Sequence, residues 1–307
     1  MPFPFRYICD LLQTLEDETL SKKKQKRPAK VFVEEWFSKH RELVDAPSTD
    51  GAALLSTLLS ARRPDRVYGI QQSKLEGIIG RAMRLGNSRL LQLRQYNISG
   101  LDKDLADCVE GLLTQTPNAQ QAEEITVEEI DELLHQIAAR CRFSSKEVRA
   151  SRSPSAQVSN EDLGNFYNRL SARDAKWFTR LVLKDLTPVA IPEAVAIRAY
   201  HHSLSKALSV RQDFATAISL VRDGSLASRP EDLIKLGCKV ARQPWHKARG
   251  IKHCIDMIGQ RQASCEQKID GEYCQIHIDL SQPAHRVIKI YSKSGKESTN
   301  DRERLHP

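Results

Sequence analysis

Long apolar runs are missing from this chain. No stretch approaches the roughly 20 residues that a membrane-spanning helix needs, and the start, Met1-Pro2-Phe3-Pro4-Phe5-Arg6, lacks the pattern of a secretory leader. Close cysteine pairs are missing too. The seven cysteines (Cys9, Cys108, Cys141, Cys238, Cys254, Cys265 and Cys274) contain no C-x-x-C, which indicates neither a zinc site nor a disulfide framework, and they are read as reduced thiols used mostly for packing in an intracellular protein. The composition also excludes a disordered chain: 40% of the 307 residues are hydrophobic and 28% are charged, enough to build a core and long enough for two domains. Positive charge is in excess, +8 with a pI near 9.1. That favours a polyanionic partner, although ordinary soluble proteins carry such a balance as well.

Read in order, most of the chain has the apolar spacing of amphipathic helices. Phe5 to Leu15 places Phe5, Ile8, Cys9, Leu12 and Leu15 on one side. The basic run from Ser21 to Pro28 follows, either a solvated connection or a nuclear-import or DNA-contacting segment. Helical patterning continues over Val31 to Val44, over Gly51 to Leu59 with Asp50 as its N-cap, and over Ser73 to Leu85, Ser88 to Gln95 and Leu101 to Leu113. Thr126-Val127-Glu128-Glu129 is a capping box, and Ser171 with Asp174 reads as another. Ile191 to Leu208 and Asp213 to Val221 complete the helical part. A second basic stretch, Lys239 to His253 with Trp245 inside it, reads equally as a linker or a phosphate-facing surface.

After this the pattern changes. Cys265-Glu266-Gln267-Lys268-Ile269-Asp270-Gly271-Glu272-Tyr273 places one lysine before an Asp-Gly turn. An alternating strand follows, with Cys274, Ile276 and Ile278 on one side and Gln275 and His277 on the other. A second strand ends in Ile290-Tyr291-Ser292-Lys293-Ser294-Gly295-Lys296. Residues 264 to 307 hold about three strands by this reading, too little sheet to bury a core alone.

The E-x-K-x-D-G pattern at Glu266, Lys268, Asp270 and Gly271, followed by the element around Lys293, resembles the start of the nucleotidyltransferase domain of ATP-dependent DNA ligases. Arg173 to Leu186 is similar to the helix of the α-helical DNA-binding domain of eukaryotic ligases, nearest the ligase IV type, and Arg66-Val67-Tyr68-Gly69-Ile70 resembles a loop of that domain. Together these cover most of the chain.

The resemblance implies a mainly α fold: a multi-helix DNA-binding domain over 1–235, then a short antiparallel β segment over 236–307 that begins an adenylation domain, with the chain ending inside it. It implies Lys268 as the nucleophile that attacks the α-phosphorus of ATP, with Mg²⁺, and carries AMP on the way to sealing nicked or broken double-stranded DNA. Lysine needs a depressed pKa for such work, hence partial enclosure. Glu266, Asp270, Gly271, Tyr273 and Lys293 are the expected nucleotide-site residues. Tyr273 stands where the family usually has arginine, and Lys293-Ser294 replaces Arg-Asn, which keeps a charge but not the planar fork. Arg66, Arg180 and Lys184 are the expected DNA contacts, Arg180 and Lys184 being four apart on one helical stripe. A nuclear repair and recombination role with a repair adaptor partner follows by the same resemblance. The competing reading is a ligase remnant that binds DNA without catalysis.

Overall fold

A computed structural model of the chain describes residues 2–22, 25–118, 124–152, 159–224, 236–240, 247–267, 269–293 and 295–305. Its helices are α1 (Phe5–Leu20), α2 (Ala29–Lys39), α3 (Arg41–Asp45), α4 (Gly51–Leu58), α5 (Gln72–Ala82), α6 (Asn87–Leu93) and α7 (Leu105–Gln115). They continue as α8 (Val127–Arg140), α9 (Lys146–Ala150), α10 (Asn160–Arg169), α11 (Ala172–Leu183), α12 (Glu193–Tyr200), α13 (Leu204–Val210), α14 (Phe214–Arg222) and α15 (Ile251–Ile258). Two strands, β1 (Cys274–Ile278) and β2 (Ile288–Ser292), pair antiparallel, Cys274 opposite Ser292 and Ile278 opposite Ile288. The fold is therefore mainly helical with a short antiparallel sheet near the C-terminus. The chain forms two compact units, Met1–Ala207 with Asp213–Ala227, and Leu208–Gln212 with Ser228–Pro307.

Side-chain caps fix where several helices begin. Asp50 accepts from the backbone of Ala52 and Ala53, and reciprocal capping boxes join Asp104 to Asp107, Thr126 to Glu129 and Ser159 to Asp162. Each satisfies backbone N–H groups that a first helical turn leaves without partners. Ser171 caps α11 singly, by accepting from Asp174 N, while the Asp174 carboxylate lies 3.5 Å from Arg173.

Three expectations are corrected. The helix over Val31 to Val44 breaks at His40, whose ring packs on Tyr7, Phe3 and Trp36 and carries the backbone out of helical geometry. Ile191 to Leu208 splits into α12 and α13, because His201 is extended and its Nδ1 accepts from Ser203 N at 3.2 Å. Residues 264 to 307 show two strands rather than three among the described residues.

The core of the helical unit is built on α11. Trp177, Phe178 and Leu181 are fully buried, between α1 and α7 on one side and the rings of Phe166 and Tyr167 on the other. Trp177 Nε1 donates to Gln13 Oε1 at 3.2 Å, so its one polar atom is matched on burial. Tyr167 and Thr179 share a hydroxyl hydrogen bond of 3.0 Å, and Thr179 Oγ1 donates back to Ala175 O. Elsewhere α10 crosses α5 so closely that a Cβ on Gly164 would fall 2.6 Å from the Ala82 Cβ. Glycine at 164 is thus a packing requirement.

Candidate nucleic-acid and nucleotide-binding residues

Basic side chains of the helical unit fall into two environments. Arg180 leaves α11 toward the interior, where Nη1 lies 2.6 Å from Glu16 Oε1, Nε 2.9 Å from Asp104 Oδ2 and Nη2 3.2 Å from Asp107 Oδ1. One turn earlier Lys176 meets Glu16 at 2.6 Å, Glu110 at 3.1 Å and Asp107 at 3.4 Å. Glu16, Lys176 and Arg180 are all at most 5% exposed. Burial opposes ionisation of Glu16, but hydrogen bonds from Lys176 and Arg180 and their charges outweigh it and hold its carboxyl below the ordinary value. Burial raises the Asp104 carboxyl, only partly countered by Arg180. The network ties α1, α7 and α11 together, and sequence reasoning did not find it. The available signal was Glu16 itself, one turn beyond Leu12 on the apolar face of α1.

Arg66 is also internal, 6% exposed, with Nη1 and Nη2 at 2.5 and 3.0 Å from the two carboxylate oxygens of Asp131. Such bidentate pairing matches the two terminal nitrogens within the domain, while the buried Nε has no acceptor.

Lys184 is not on a stripe with Arg180. The helix ends at Leu183, and Lys184 takes a left-handed backbone (φ 55°) as the C-cap, which turns its side chain to the loop 63–68. Nζ donates to Arg63 O at 2.7 Å and to Arg66 O at 2.6 Å and lies over the Tyr68 ring. Burial, with the charges of Arg63 and Arg66, pushes its pKa down to about 8. The shared exposed stripe expected for Arg180 and Lys184 is thereby corrected: one is an interior ion, the other a clamp between two loops. Arg62, just before the first loop, pairs with Glu193 at the start of α12, just after the second. The exposed positions of this edge are carried by Ala61, Pro64 and Gly69 on one loop and by Asp185, Thr187 and Ala190 on the other. The Thr187-Pro188 peptide is cis.

In the C-terminal unit, Glu266, Asp270 and Gly271 are exposed, as are Tyr273 and Lys293. Lys268, the expected nucleophile, and Ser294 lie outside the described residues. The hairpin register sets Tyr273, just before β1, and Lys293, just after β2, beyond the Cys274–Ser292 pair, so both expected nucleotide-site residues stand at one end of the sheet. The alternation read from the sequence is present, but its polarity is unusual. Ile276 and Ile278 face solvent, 53% and 55% exposed, whereas the polar side packs inward. His277 meets the Tyr291 ring edge-on, and Gln275 both accepts from Val240 N at 3.1 Å and donates to Val240 O at 2.7 Å. Tyr291 Oη donates to Gly237 O. No group of three His, Cys, Asp or Glu side chains able to hold a metal occurs among the described residues, and no described helix is long and apolar enough to cross a membrane.

A family model described as the DNA ligase N terminus matches residues 4–201, which include the whole of the α11 core and both loops of the Lys184 clamp. The chain belongs to this DNA ligase family. Among curated relatives, human DNA ligase 4 is 21% identical over 97% of this chain and 31% of its own length. DNA ligase 4 of Aspergillus oryzae is 23% identical over 77% of the chain and 24% of its own length, and that of Coprinopsis cinerea 23% over 89% and 26%. These relatives are all DNA ligase IV proteins, and the chain spans less than a third of their length. The matched 4–201 segment holds Arg66, Arg180 and Lys184; the stretch from Glu266 to Lys293 lies beyond it.

Proposed function

We propose that the chain is the DNA-gripping and adenylation-initiating part of an ATP-dependent DNA ligase acting on nicked or broken duplex in nuclear repair and recombination. The observation that carries the reading is the family match over the helical unit, joined in sequence to Glu266-Gln267-Lys268-Ile269-Asp270-Gly271. On this reading Lys268 accepts AMP from ATP as a phosphoramidate and pyrophosphate leaves. Glu266, Asp270 and Gly271, with Tyr273 and Lys293 at the hairpin end, surround the nucleotide. Reactions of this type run with Mg²⁺, but the described residues do not make up a site for it, so no step is assigned to the metal.

For DNA, the reading gives Arg66, Arg180 and Lys184 a positioning role. Lys184 holds the loop 63–68 against the end of α11, Arg66 ties the same loop to α8 through Asp131, and Arg180 fixes α11 itself. The exposed backbone and side chains of the two clamped loops then meet phosphates. A repair adaptor protein is the further partner the reading implies.

Incubation of the purified chain with α-labelled ATP and Mg²⁺, beside Lys268→Ala, tests the catalytic half. Label retained by denatured parent protein and absent from the variant is the expected result. Absence from both supports the second reading, a DNA-binding ligase segment without adenylation, which the exposure of Glu266 and Asp270 favours because an activated lysine needs enclosure. Duplex affinity that does not fall with salt would remove the DNA reading altogether.

A further inference from the structure

A cavity of about 610 Å³ opens in the helical unit between the end of α5, the start of α6, the segment after α7 and one face of α10. Arg81, Arg84 and Arg89 line it, against a single carboxylate, that of Glu161. Among the described residues none of the three guanidiniums has an ion pair or side-chain hydrogen bond. Nη2 of Arg89 is also hidden from solvent without an acceptor, a costly state for a charged donor. Elsewhere in the same unit the terminal nitrogens of Arg66 meet Asp131 and Arg180 meets three carboxylates, whereas Arg81 and Arg84 are exposed and Arg89 is half-buried, open to a ligand entering the cavity.

Two further features show how the lining is held. Asn118 Nδ2 donates to the carbonyls of Tyr167 and Leu170 at 2.7 and 2.8 Å, which locks its amide in the wall. Arg84 has φ 50°, in the turn that ends α5, where Leu85 N reaches back to Gly80 O at 2.9 Å. Helix-ending positions of this kind normally take glycine, since a side chain is strained there. A bulky cation at such a position is a local cost to the fold that a ligand contact would explain.

We propose that this cavity is an anion site for a phosphate group, gripped by Arg81, Arg84 and Arg89. Planar guanidiniums with unused N–H groups match the tetrahedral oxygens of phosphate, and three of them against one carboxylate leave a net positive pocket. The site uses none of the residues of the ligase reading; as an oligophosphate site it stands independently of that reading, and as a duplex contact it rests on it. Its phosphate comes either from a free oligophosphate or from the backbone of a duplex.

The experiment titrates sodium pyrophosphate at constant ionic strength, and separately a short duplex over a range of salt, into the full chain. It compares Arg89→Gln, Arg84→Gly and a control, Arg152→Gln, on an exposed residue outside the cavity. Arg84→Gly relieves the left-handed strain and is expected to keep or raise the melting temperature, so a loss of binding in it is not a loss of folding. Pyrophosphate affinity at least tenfold weaker in both cavity variants, with the control unchanged, establishes the site for a free oligophosphate. Absence of pyrophosphate binding, with the duplex log–log salt slope shallower by about one in each cavity variant, establishes it for backbone phosphate. Equal behaviour of all four proteins, or an equal loss in the control, overturns the proposal.

Discussion

In the helical unit Trp177, Phe178 and Leu181 are wholly buried and even the interior charges of Glu16, Lys176 and Arg180 are matched. In the C-terminal unit α15 buries no residue, and Ile251, Ile255, Ile276 and Ile278 are each more than half exposed. The first unit buries a large aromatic and aliphatic core and pairs the ions at its centre, while the second leaves an apolar helix side and an apolar sheet face in water. Burial of apolar surface is what stabilises a fold, so the two units are expected to respond to substitution on different scales.

The comparison breaks most sharply at Arg180. Arg180→Met leaves Asp104 without an ion pair and Glu16 and Asp107 with Lys176 as their remaining cation. Removal of one member of a buried ion network costs about 3–5 kcal/mol, read as a fall in the urea midpoint of the helical unit. Trp177→Ala is expected to cost a similar ~3–5 kcal/mol through the cavity it opens beside α1 and α7. If either variant unfolds at the wild-type midpoint, the helical unit is not the closed structure described.

A smaller effect concerns Lys184. Its folded pKa of about 8 lies below the ordinary 10.5, so the folded state binds fewer protons than the unfolded state between those values. Stability therefore rises with pH across that window and is fully gained above it; below pH 8 the burial of the ammonium is felt in full. Lys184→Met should flatten the alkaline rise by about 1–2 kcal/mol, allowing for partial exposure, and denaturation midpoints measured from pH 7 to 10.5 check this. Thr126→Ala removes the cap of α8 and should cost about 1 kcal/mol. Ile276→Thr with Ile278→Thr should change stability by no more than about 0.5 kcal/mol. A loss of 2 kcal/mol or more in that double variant would show that the sheet face is covered in solution.

The features legible in the sequence were those written locally. The caps at Asp50 and Thr126, the amphipathic face of α1 and the alternation of β1 each lie within a few consecutive residues. What escaped was set by distant neighbours. Arg180 and Lys184 are four apart, a spacing that puts two cations on one stripe only if the helix continues, and α11 stops at Leu183. Arg180 is then fixed by Glu16, 164 positions earlier in the chain, a distance at which spacing carries no signal. The helix break at His40 follows equally from rings contributed by Phe3 and Tyr7. In the C-terminal unit the alternation told where the strand lies but not which side faces water, because period alone does not name the buried face.

Gln275 gives the hairpin an attachment of an unusual genetic kind. Its amide both donates to and accepts from Val240, the exchange that two strands make through their main chains. A main-chain ladder survives most point mutations, since every residue type but proline carries the same donor and acceptor. Here the exchange resides in one side chain, so a single base change, Gln275→Glu, replaces the donor with a charge and releases Val240 O while leaving the fold of β1 and β2 encoded as before. The hairpin is robust to mutation along its length, and its tether to residue 240 is heritable through one codon.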